Sequence, residues 1–256
     1  MKYKKLLIFI TSLIFITTLF FSSIFLFKIA EINVTTRKIS GSNNYIDVLT
    51  TEYAKNYKGK NIIFTASENI KSDLENLSSY IKVNKIEKVF PNKLNIEVEE
   101  RLEVFSLKYN EEYCVFDENL KLLSVKKENV NNINGLNNVE LVLSLSDYNE
   151  TLFASSKVLE FYDEQTQEMF DIIKSIVVER KDNIKSISVN VRSDGKINRF
   201  IVVTMTEGME IQIDKSNERV KDKFDKLFEY YDSCDNKGDT LRRYVTLRDN
   251  GEIVVV

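Results

Sequence analysis

The sequence predicts an α+β protein with a single N-terminal transmembrane helix and two mixed domains. Three observations predict this fold class. Residues 6–27 contain no charged side chain, residues 29–101 alternate between helical and strand periodicity, and short strands with two amphipathic helices follow from residue 102 onward. A small domain usually takes about 100–150 residues, so the chain after the uncharged run is long enough for two.

The uncharged run is long enough to cross a membrane. Its 22 residues would extend about 33 Å as a helix, against a hydrocarbon core of about 30 Å. Lys2, Lys4 and Lys5 precede the run, so the positive-inside rule predicts a short cytoplasmic tail over residues 1–5 and export of the remainder. A cleaved signal peptide is the alternative, but its apolar core is usually about 7–15 residues. We therefore predict a retained single-pass anchor over residues 6–27.

The composition argues against several classes of function. The chain has no histidine, which removes histidine-based triads and nearly all catalytic zinc sites. Its net charge is −3 and no basic stripe is present, so nucleic acid is not an expected partner. The two cysteines, Cys114 and Cys234, are expected to be buried as small apolar residues, although an exported protein would permit a disulfide between them.

The pattern of residues 29–101 predicts a strand, two helices and two further strands. The strands are predicted over 29–34, 80–89 and 94–104, and the first helix over 45–57. Ser67 is the expected N-cap of the second helix. Pro91 separates the last two strands, as expected for a turn because proline is costly inside a central strand. These elements predict a three-stranded sheet with two helices on one face.

The pattern of residues 102–256 predicts a mixed α/β domain with a curved, mainly antiparallel sheet and two helices. Strands are predicted over 104–108, 113–116, 120–124, 139–145, 184–191, 200–205, 209–213, 244–247 and 253–256. The first helix is expected to present Leu152, Leu159, Tyr162, Met169, Ile173 and Ile176 on its inner face. The second, capped by Ser216, is expected to present Val220, Phe224, Leu227, Phe228 and Tyr231. Turns are predicted at Glu207-Gly208 and at 249–251.

Patterns that resemble catalytic or metal-binding motifs have simpler structural explanations. Ser-x-x-Lys occurs at Ser79 and at Ser193, but the Ser-Asp-Asn and Lys-Thr-Gly motifs that accompany it in penicillin-binding enzymes are missing. Glu97 and Glu99 share one strand face, as a glycosidase pair could, yet their apolar neighbours indicate the solvated face of a half-buried sheet. Residues 232–239 lack the closing glutamate of an EF-hand loop. We predict no catalytic residue, no metal site and no cofactor.

The residues at 251–256 form a short segment with high strand propensity. A strand there can lie at a sheet edge, where unpaired backbone groups accept another chain. It can equally be the last buried strand of a core. The sequence leaves both interpretations open.

Several segments resemble the FtsQ/DivIB family of bacterial cell-division proteins. Residues 89–101 (VFPNKLNIEVEER) resemble the segment that closes the family's POTRA domain, and residues 59–63 resemble its Gly-x-Asn-Ile element. Residues 114–119 resemble the strand and Asp-x-Gly turn that open the second domain, and residues 244–248 with the last strand resemble its closing segment. Glu103, Asn119 and Thr246 depart from the family's proline, turn glycine and acidic residue. Asn119 can adopt the positive φ that such a turn requires.

The resemblance implies a POTRA-like β-α-α-β-β domain over residues 29–101 and an FtsQ/DivIB-type β domain over residues 102–256. It implies a non-enzymatic bitopic scaffold of the divisome, located in the bacterial cell membrane at the septum. Such a scaffold binds small coiled-coil membrane division proteins of the FtsB/DivIC and FtsL type and influences septal peptidoglycan synthesis. No small-molecule substrate is implied.

The terminal strand suggests how a partner would bind. We predict β-augmentation, in which a partner segment adds a strand beside Gly251, Glu252, Ile253, Val254, Val255 and Val256, with pockets near Tyr244 and Leu247. Two other functions remain open. A POTRA module also suits a sporulation-type or export-channel assembly protein, and an exported module also suits a membrane-anchored cell-wall enzyme. The absence of histidine and of any supported nucleophile argues against the enzyme.

Overall fold

The computed structural model describes residues 2–37, 45–128, 138–143, 157–161, 164–193, 197–214, 220–234, 244–247 and 253–255. The chain divides into two compact units, Met1–Arg101 and Leu102–Val256, here called the first and second units. The helices are α1 (Lys2–Leu26), α2 (Tyr45–Ala54), α3 (Ser67–Glu75), α4 (Glu164–Arg180) and α5 (Val220–Ser233). The strands are β1 (Glu31–Arg37), β2 (Ile81–Val89), β3 (Lys93–Glu100), β4 (Phe105–Tyr109), β5 (Glu112–Phe116), β6 (Leu122–Lys126), β7 (Val139–Val142), β8 (Ile184–Ser193), β9 (Ile197–Met205), β10 (Glu210–Asp214), β11 (Tyr244–Leu247) and β12 (Ile253–Val255).

Helix α1 covers nearly the whole of the uncharged run. Its described side chains between Phe9 and Leu26 are all exposed, the large apolar ones included. Thr17 and Thr18 both donate their hydroxyl hydrogen bonds to the Ile14 carbonyl at 2.8 Å, so these two polar groups are satisfied within the helix. Among the residues that the structure describes, no helix has the length and apolarity needed to cross a membrane. The transmembrane assignment of residues 6–27 therefore stays a prediction.

The first unit contains the predicted three-stranded sheet. The strand order is β1-β3-β2, in which β1 runs parallel and β2 antiparallel to the central β3. Apolar residues alternate along the central strand, so Leu94, Ile96 and Val98 are buried and pack in one core with α2 and α3. The opposite face is charged, as predicted, and Lys93 there forms a 2.9 Å ion pair with Glu31.

The cap of α3 differs from the sequence prediction. Ala66, rather than Ser67, is the N-cap residue, and no side chain caps this helix. Farther along the helix, Asp73 accepts a hydrogen bond from the Tyr57 hydroxyl, which links α3 to the end of the preceding helical segment. Burial, and then this bond to a carboxylate, raise the pKa of Tyr57.

Arg101 is held at the end of the first unit by three contacts. Its backbone N–H donates to the Tyr80 carbonyl at 2.8 Å, and its Nε donates to the Ile81 carbonyl at 3.3 Å. Its guanidinium lies 3.8 Å from the Glu75 carboxylate on α3, and both side chains are largely buried. The same carboxylate accepts the Val83 N–H at 3.0 Å, beside the bulge in β2. Glu75 therefore stabilises a bulge and the point where the chain leaves the unit.

Replacing Arg101 with methionine should destabilise the first unit by about 1–3 kcal/mol, because it removes the guanidinium charge beside the largely buried Glu75 carboxylate and the bond from Nε to the Ile81 carbonyl. Lys93→Met is the matched control, because it breaks an ion pair whose Glu31 side chain is exposed. Urea unfolding of residues 29–101 would measure both. The assignment of Arg101 fails if the two variants unfold at the same urea concentration.

The second unit is built on one nine-stranded sheet. The strand order is β12-β11-β10-β9-β8-β7-β4-β5-β6. Most neighbouring pairs are antiparallel, but β4–β7, β7–β8 and β10–β11 are parallel. The predicted mainly antiparallel, mixed α/β domain is therefore observed. Both helices pack on the same apolar face, since Phe170 and Val177 of α4 and Phe224 and Leu227 of α5 share one core with the sheet.

Helix α4 begins later than the sequence pattern predicts. Leu159 is buried but not helical, because residues 157–159 pair with the chain just before β6: the Leu122 N–H donates to the Lys157 carbonyl, and the Leu159 N–H donates to the Leu120 carbonyl. The helix starts at Glu164, and Phe170, absent from the predicted inner face, is one of its most buried residues. Leu152, Tyr162 and the proposed cap Ser216 lie outside the described residues.

The turn before β6 also differs from the prediction. Leu120, not Asn119, adopts the positive φ, at 58°. The Asp117 carboxylate accepts the N–H groups of Asn119 and Lys121 at 2.8 and 2.9 Å. These bonds stabilise a turn whose positive-φ residue is one position later than predicted. The side chain of Leu120 is thereby buried, and β6 starts two residues later than predicted.

Candidate partner-binding edge

The last described strand, β12, lies at one edge of the nine-stranded sheet. It pairs antiparallel with β11, matching Ile253 to Leu247, Val254 to Thr246 and Val255 to Val245. Among the described residues, no strand pairs with its other side. Within the described strands, the edge position is therefore the one of the two interpretations that is observed.

Helix α5 sets the position of β11 in the sheet. Strand β11 runs parallel to β10, and the chain between them contains α5, as a parallel pair requires a crossover. The helix is fixed on the sheet by the burial of Phe224, Leu227 and Phe228. Because β12 pairs only with β11 among the described strands, α5 indirectly positions the edge.

Two polar contacts hold the end of α5. The Tyr231 hydroxyl donates to the Glu207 carboxylate at 2.6 Å, which ties the helix to the turn between β9 and β10. Burial, and then this bond, raise the pKa of Tyr231. Arg180 of α4 donates to Asp232 at 2.8 Å, and its guanidinium lies 4.8 Å from the centre of the Phe228 ring. Side-chain contacts therefore hold α5 against α4 and against the β9–β10 turn, on the part of the sheet that leads to β12.

The edge offers a partner limited backbone surface. A three-residue strand presents roughly two to four outward N–H and C=O groups, each hydrogen bond contributing about 0.5–1.5 kcal/mol net. Ile253 and Val254 are both half-buried, and Ile253 packs against the core. Backbone bonds alone would give weak binding, so side-chain contacts must supply much of the affinity.

The structure divides the predicted site residues into three groups. Ile253, Val254 and Val255 form the edge strand. Tyr244 and Leu247 lie in β11, between β10 and β12. Leu247 pairs on both sides, so its backbone is not available to an added strand. Gly251, Glu252 and Val256, together with the predicted turn at 249–251, fall outside the described residues. The assignment of these residues to partner binding remains a prediction.

A second edge of the same sheet was not singled out by the sequence pattern. It is β6, whose approach at residues 120–122 is paired with residues 157–159. Farther along, Val125 is exposed, while Lys126 forms a 2.8 Å ion pair with Glu103. Lysine and a covering segment are features that protect sheet edges from association. The β6 edge therefore has features that oppose strand addition, and it serves as a control for experiments on β12.

The glutamate pair that resembles a glycosidase pattern lies in a described strand. Glu97 and Glu99 lie on the solvated face of β3, while Ile96 and Val98 are buried, as predicted. Glu99 accepts a 2.7 Å hydrogen bond from the Asn84 side chain. Cys114 and Cys234 are both buried and do not form a disulfide with each other, and burial raises the pKa of the Cys114 thiol. No cluster of three or more potential metal ligands occurs among the described residues.

Comparison with known proteins shows what the first unit is similar to. Residues 27–101 match the family described as POTRA domain, FtsQ-type. The chain is also similar to cell division protein DivIB of Clostridium acetobutylicum, at 36% identity over 115 residues, or 45% of this chain and 42% of that protein. It matches the protein of the same name from Clostridium botulinum strain Loch Maree at 31% identity over 132 residues, or 50% and 48% of the two chains. The matches span less than half the length of each relative.

The β-α-α-β-β unit with its β1-β3-β2 sheet is thus similar to an FtsQ-type POTRA domain over residues 27–101, and a second, mixed α/β unit follows it. The resemblance to the FtsQ/DivIB family is confirmed by the FtsQ-type domain and by the DivIB relatives.

Proposed function

We propose that the chain is a non-enzymatic, bitopic membrane scaffold of the bacterial divisome. The observation that carries this proposal is the match of residues 27–101 to an FtsQ-type POTRA domain, directly after helix α1, whose residues 6–26 are uncharged. The relatives named cell division protein DivIB support a role in division. The lack of histidine, and the solvated position of Glu97 and Glu99, support a role without catalysis.

Helix α1 is the proposed anchor, with the N-terminus in the cytoplasm and both units outside, at the septum. Its apolar side chains, where described, are exposed around the helix, and such a helix is stable when a bilayer covers it. Lys2, Lys4 and Lys5 lie at the start of this helix, before its uncharged run, as the positive-inside rule requires for this orientation.

The proposed partners are small coiled-coil membrane proteins of the FtsB/DivIC and FtsL type, and septal peptidoglycan synthesis is the process they would jointly influence. The proposed mode of binding is β-augmentation at β12, supported by its edge position among the described strands. Residue Ile253 would keep the strand on the core while Val254 and Val255 receive the partner. Side chains around Tyr244 and Leu247 would supply specificity.

A version ending at Arg248 should lose co-purification with small single-span coiled-coil proteins, because it lacks the whole of β12. The longer version would contain residues 29–256 and the shorter version residues 29–248. Each would be used as bait for proteins from solubilised membranes. Circular dichroism must show that the shorter version stays folded.

Equal recovery of these partners by both versions would keep the scaffold and exclude β12 as its site. Recovery of no such partner by either version would contradict the scaffold itself. It would return the sporulation or export assembly function, and then the cell-wall enzyme, to consideration.

A further inference from the structure

Two turns of the POTRA domain expose large apolar side chains at their tips. The first turn, Asn61 to Thr65, is closed by the Thr65 N–H, which donates to the Asn61 carbonyl at 3.0 Å. Ile63 and Phe64 occupy its tip and are 46% and 75% exposed. Turn tips favour glycine, proline and small polar residues, so two adjacent large apolar residues are unusual there. Their exposure to water has no structural explanation within the unit.

The second turn joins β2 to β3. Val89 and Phe90 precede Pro91 at this turn, and Phe90 is 58% exposed. The Phe90 ring meets the ring of Phe27 edge-on, with centroids 6.0 Å apart. This second apolar tip therefore touches the residue that immediately follows α1.

Both tips flank the segment by which the chain leaves α1. The Phe27 carbonyl accepts the Ile62 N–H at 2.8 Å, and the Ile29 N–H donates to the Lys60 carbonyl at 2.8 Å. On the other side, the Ala30 N–H donates to the Asn92 carbonyl at 2.8 Å. The two turns are thus fixed by backbone bonds beside the end of the helix, rather than merely near it in sequence.

The surroundings of the tips are basic. Segments 25–30, 55–66 and 88–93 contain six lysines and no acidic residue, and two of these lysines, Lys55 and Lys93, form ion pairs with Glu52 and Glu31 outside the segments. Lys28, Lys58 and Lys60 are exposed. Exposed aromatic residues surrounded by lysines are the features of protein surfaces that bind the interface of an anionic bilayer.

We propose that this end of the POTRA domain rests on the outer surface of the bilayer. Phe64 and Phe90 enter the boundary between head groups and acyl chains, and the lysines face anionic phospholipid head groups. The inference rests on the proposed anchor. The segment that bonds to the two turns begins at Phe27, directly after α1 ends at Leu26. Once α1 is inserted, the tips therefore stay at a high effective concentration at the membrane surface. The contact would hold the domain at a fixed height above the membrane.

The absence of tryptophan from the chain allows a direct test. The full chain would be reconstituted at low density in vesicles of phosphatidylcholine and phosphatidylglycerol, with single reporters introduced as Phe64→Trp and Phe90→Trp. Tyr45→Trp is the control, because Tyr45 is also exposed but begins α2 at the opposite end of the domain. The start of α2 is located by Asp47, which accepts a 3.0 Å hydrogen bond from the Thr36 hydroxyl. Thr36 lies five residues along β1 from Glu31, so this end of the strand is about 16 Å from the end beside α1. Phe15→Trp in α1 reports insertion of the anchor.

We expect the emission of F64W and F90W to shift to shorter wavelength and to be quenched by lipids brominated near the head groups. The emission of Y45W should remain at the wavelength typical of water and should not be quenched. F15W should be quenched by lipids brominated deep in the acyl chains. Quenching of F64W should decrease when phosphatidylglycerol is omitted, because the lysines lose their anionic partners.

The outcomes separate this inference from the anchor on which it rests. Quenching of F15W without quenching of F64W and F90W would overturn the membrane contact and leave the anchor in place. Absence of quenching in F15W would overturn both. A blue shift in F64W that bromine does not quench, and that grows with protein density, would show a second copy covering the tips and would also overturn the proposal.

Discussion

Replacing Val254 with lysine should weaken the capture of a coiled-coil partner at least about tenfold, or about 1.4 kcal/mol. Val254 is half-buried in the edge strand, in register with Thr246 of β11. A partner strand added beside it would cover the new ammonium group and remove part of its hydration, which is unfavourable without a compensating charge. Lysine on an edge strand is also a common natural device against strand addition.

Two variants serve as controls for this prediction. Val254→Thr keeps the β-branched shape and should retain most binding. Val125→Lys places the same charge on β6 at the opposite edge of the sheet, where Val125 is exposed, and should leave binding unchanged. Affinities would be measured with immobilised protein that comprises residues 29–256. Equal weakening by V254K and V125K would mean that neither edge is specifically used, and weakening by V125K alone would move the site to β6.

The first unit could be predicted closely from the sequence, because its signals are local. Alternation along β3 and the single proline between β2 and β3 locate the hairpin, and helical spacing locates α2 and α3. The two exposed tips could not be predicted in the same way. Ile63 and Phe64 follow an apolar pattern that normally indicates burial, and only the folded geometry shows them exposed.

The second unit was predicted less completely, because its topology depends on pairings between distant segments. Most individual strands have recognisable patterns, but no local signal states that β4 pairs with β7 or that β10 pairs with β11. The start of α4 was missed because residues 157–159 have apolar spacing that suits a helix but bond to the chain before β6 instead. The positive φ was predicted at Asn119 but lies at Leu120, in a turn that the Asp117 side chain stabilises by hydrogen bonds.

The strand of the candidate site was predicted from the sequence, but its place in the sheet was not. The β-branched residues after Gly251 indicated a strand, and that strand is present at Ile253–Val255. Its edge position depends on the sheet order, which the sequence could not supply. The same order shows that Tyr244 and Leu247 belong to an interior strand. The proposed contribution of Leu247 is therefore restricted to its side chain.

Phe170→Ala should be the most damaging single substitution in the second unit, with an expected loss of about 3–5 kcal/mol. Phe170 is fully buried, and its ring centre lies 5.4 Å from that of Phe105 and 5.0 Å from that of Phe161. Truncation would open a cavity between α4 and the sheet. Domains are typically stable by about 5–15 kcal/mol, so a large share of the stability would be lost. Val142→Ala is the control, because Val142 is exposed and should change stability by less than about 0.5 kcal/mol.

Hydrogen exchange would distinguish this loss from the effect of V254K. The two units have separate cores, so F170A should reduce amide protection in β8 and β9 while protection in β2 and β3 persists. Partner capture should fail in F170A because β11 and β12 depend on the same core as α5, whereas V254K should lose capture with protection intact. Equal loss of protection in both units of F170A would mean that they unfold as one cooperative block. Intact capture by a destabilised F170A would instead place the partner site outside the second unit.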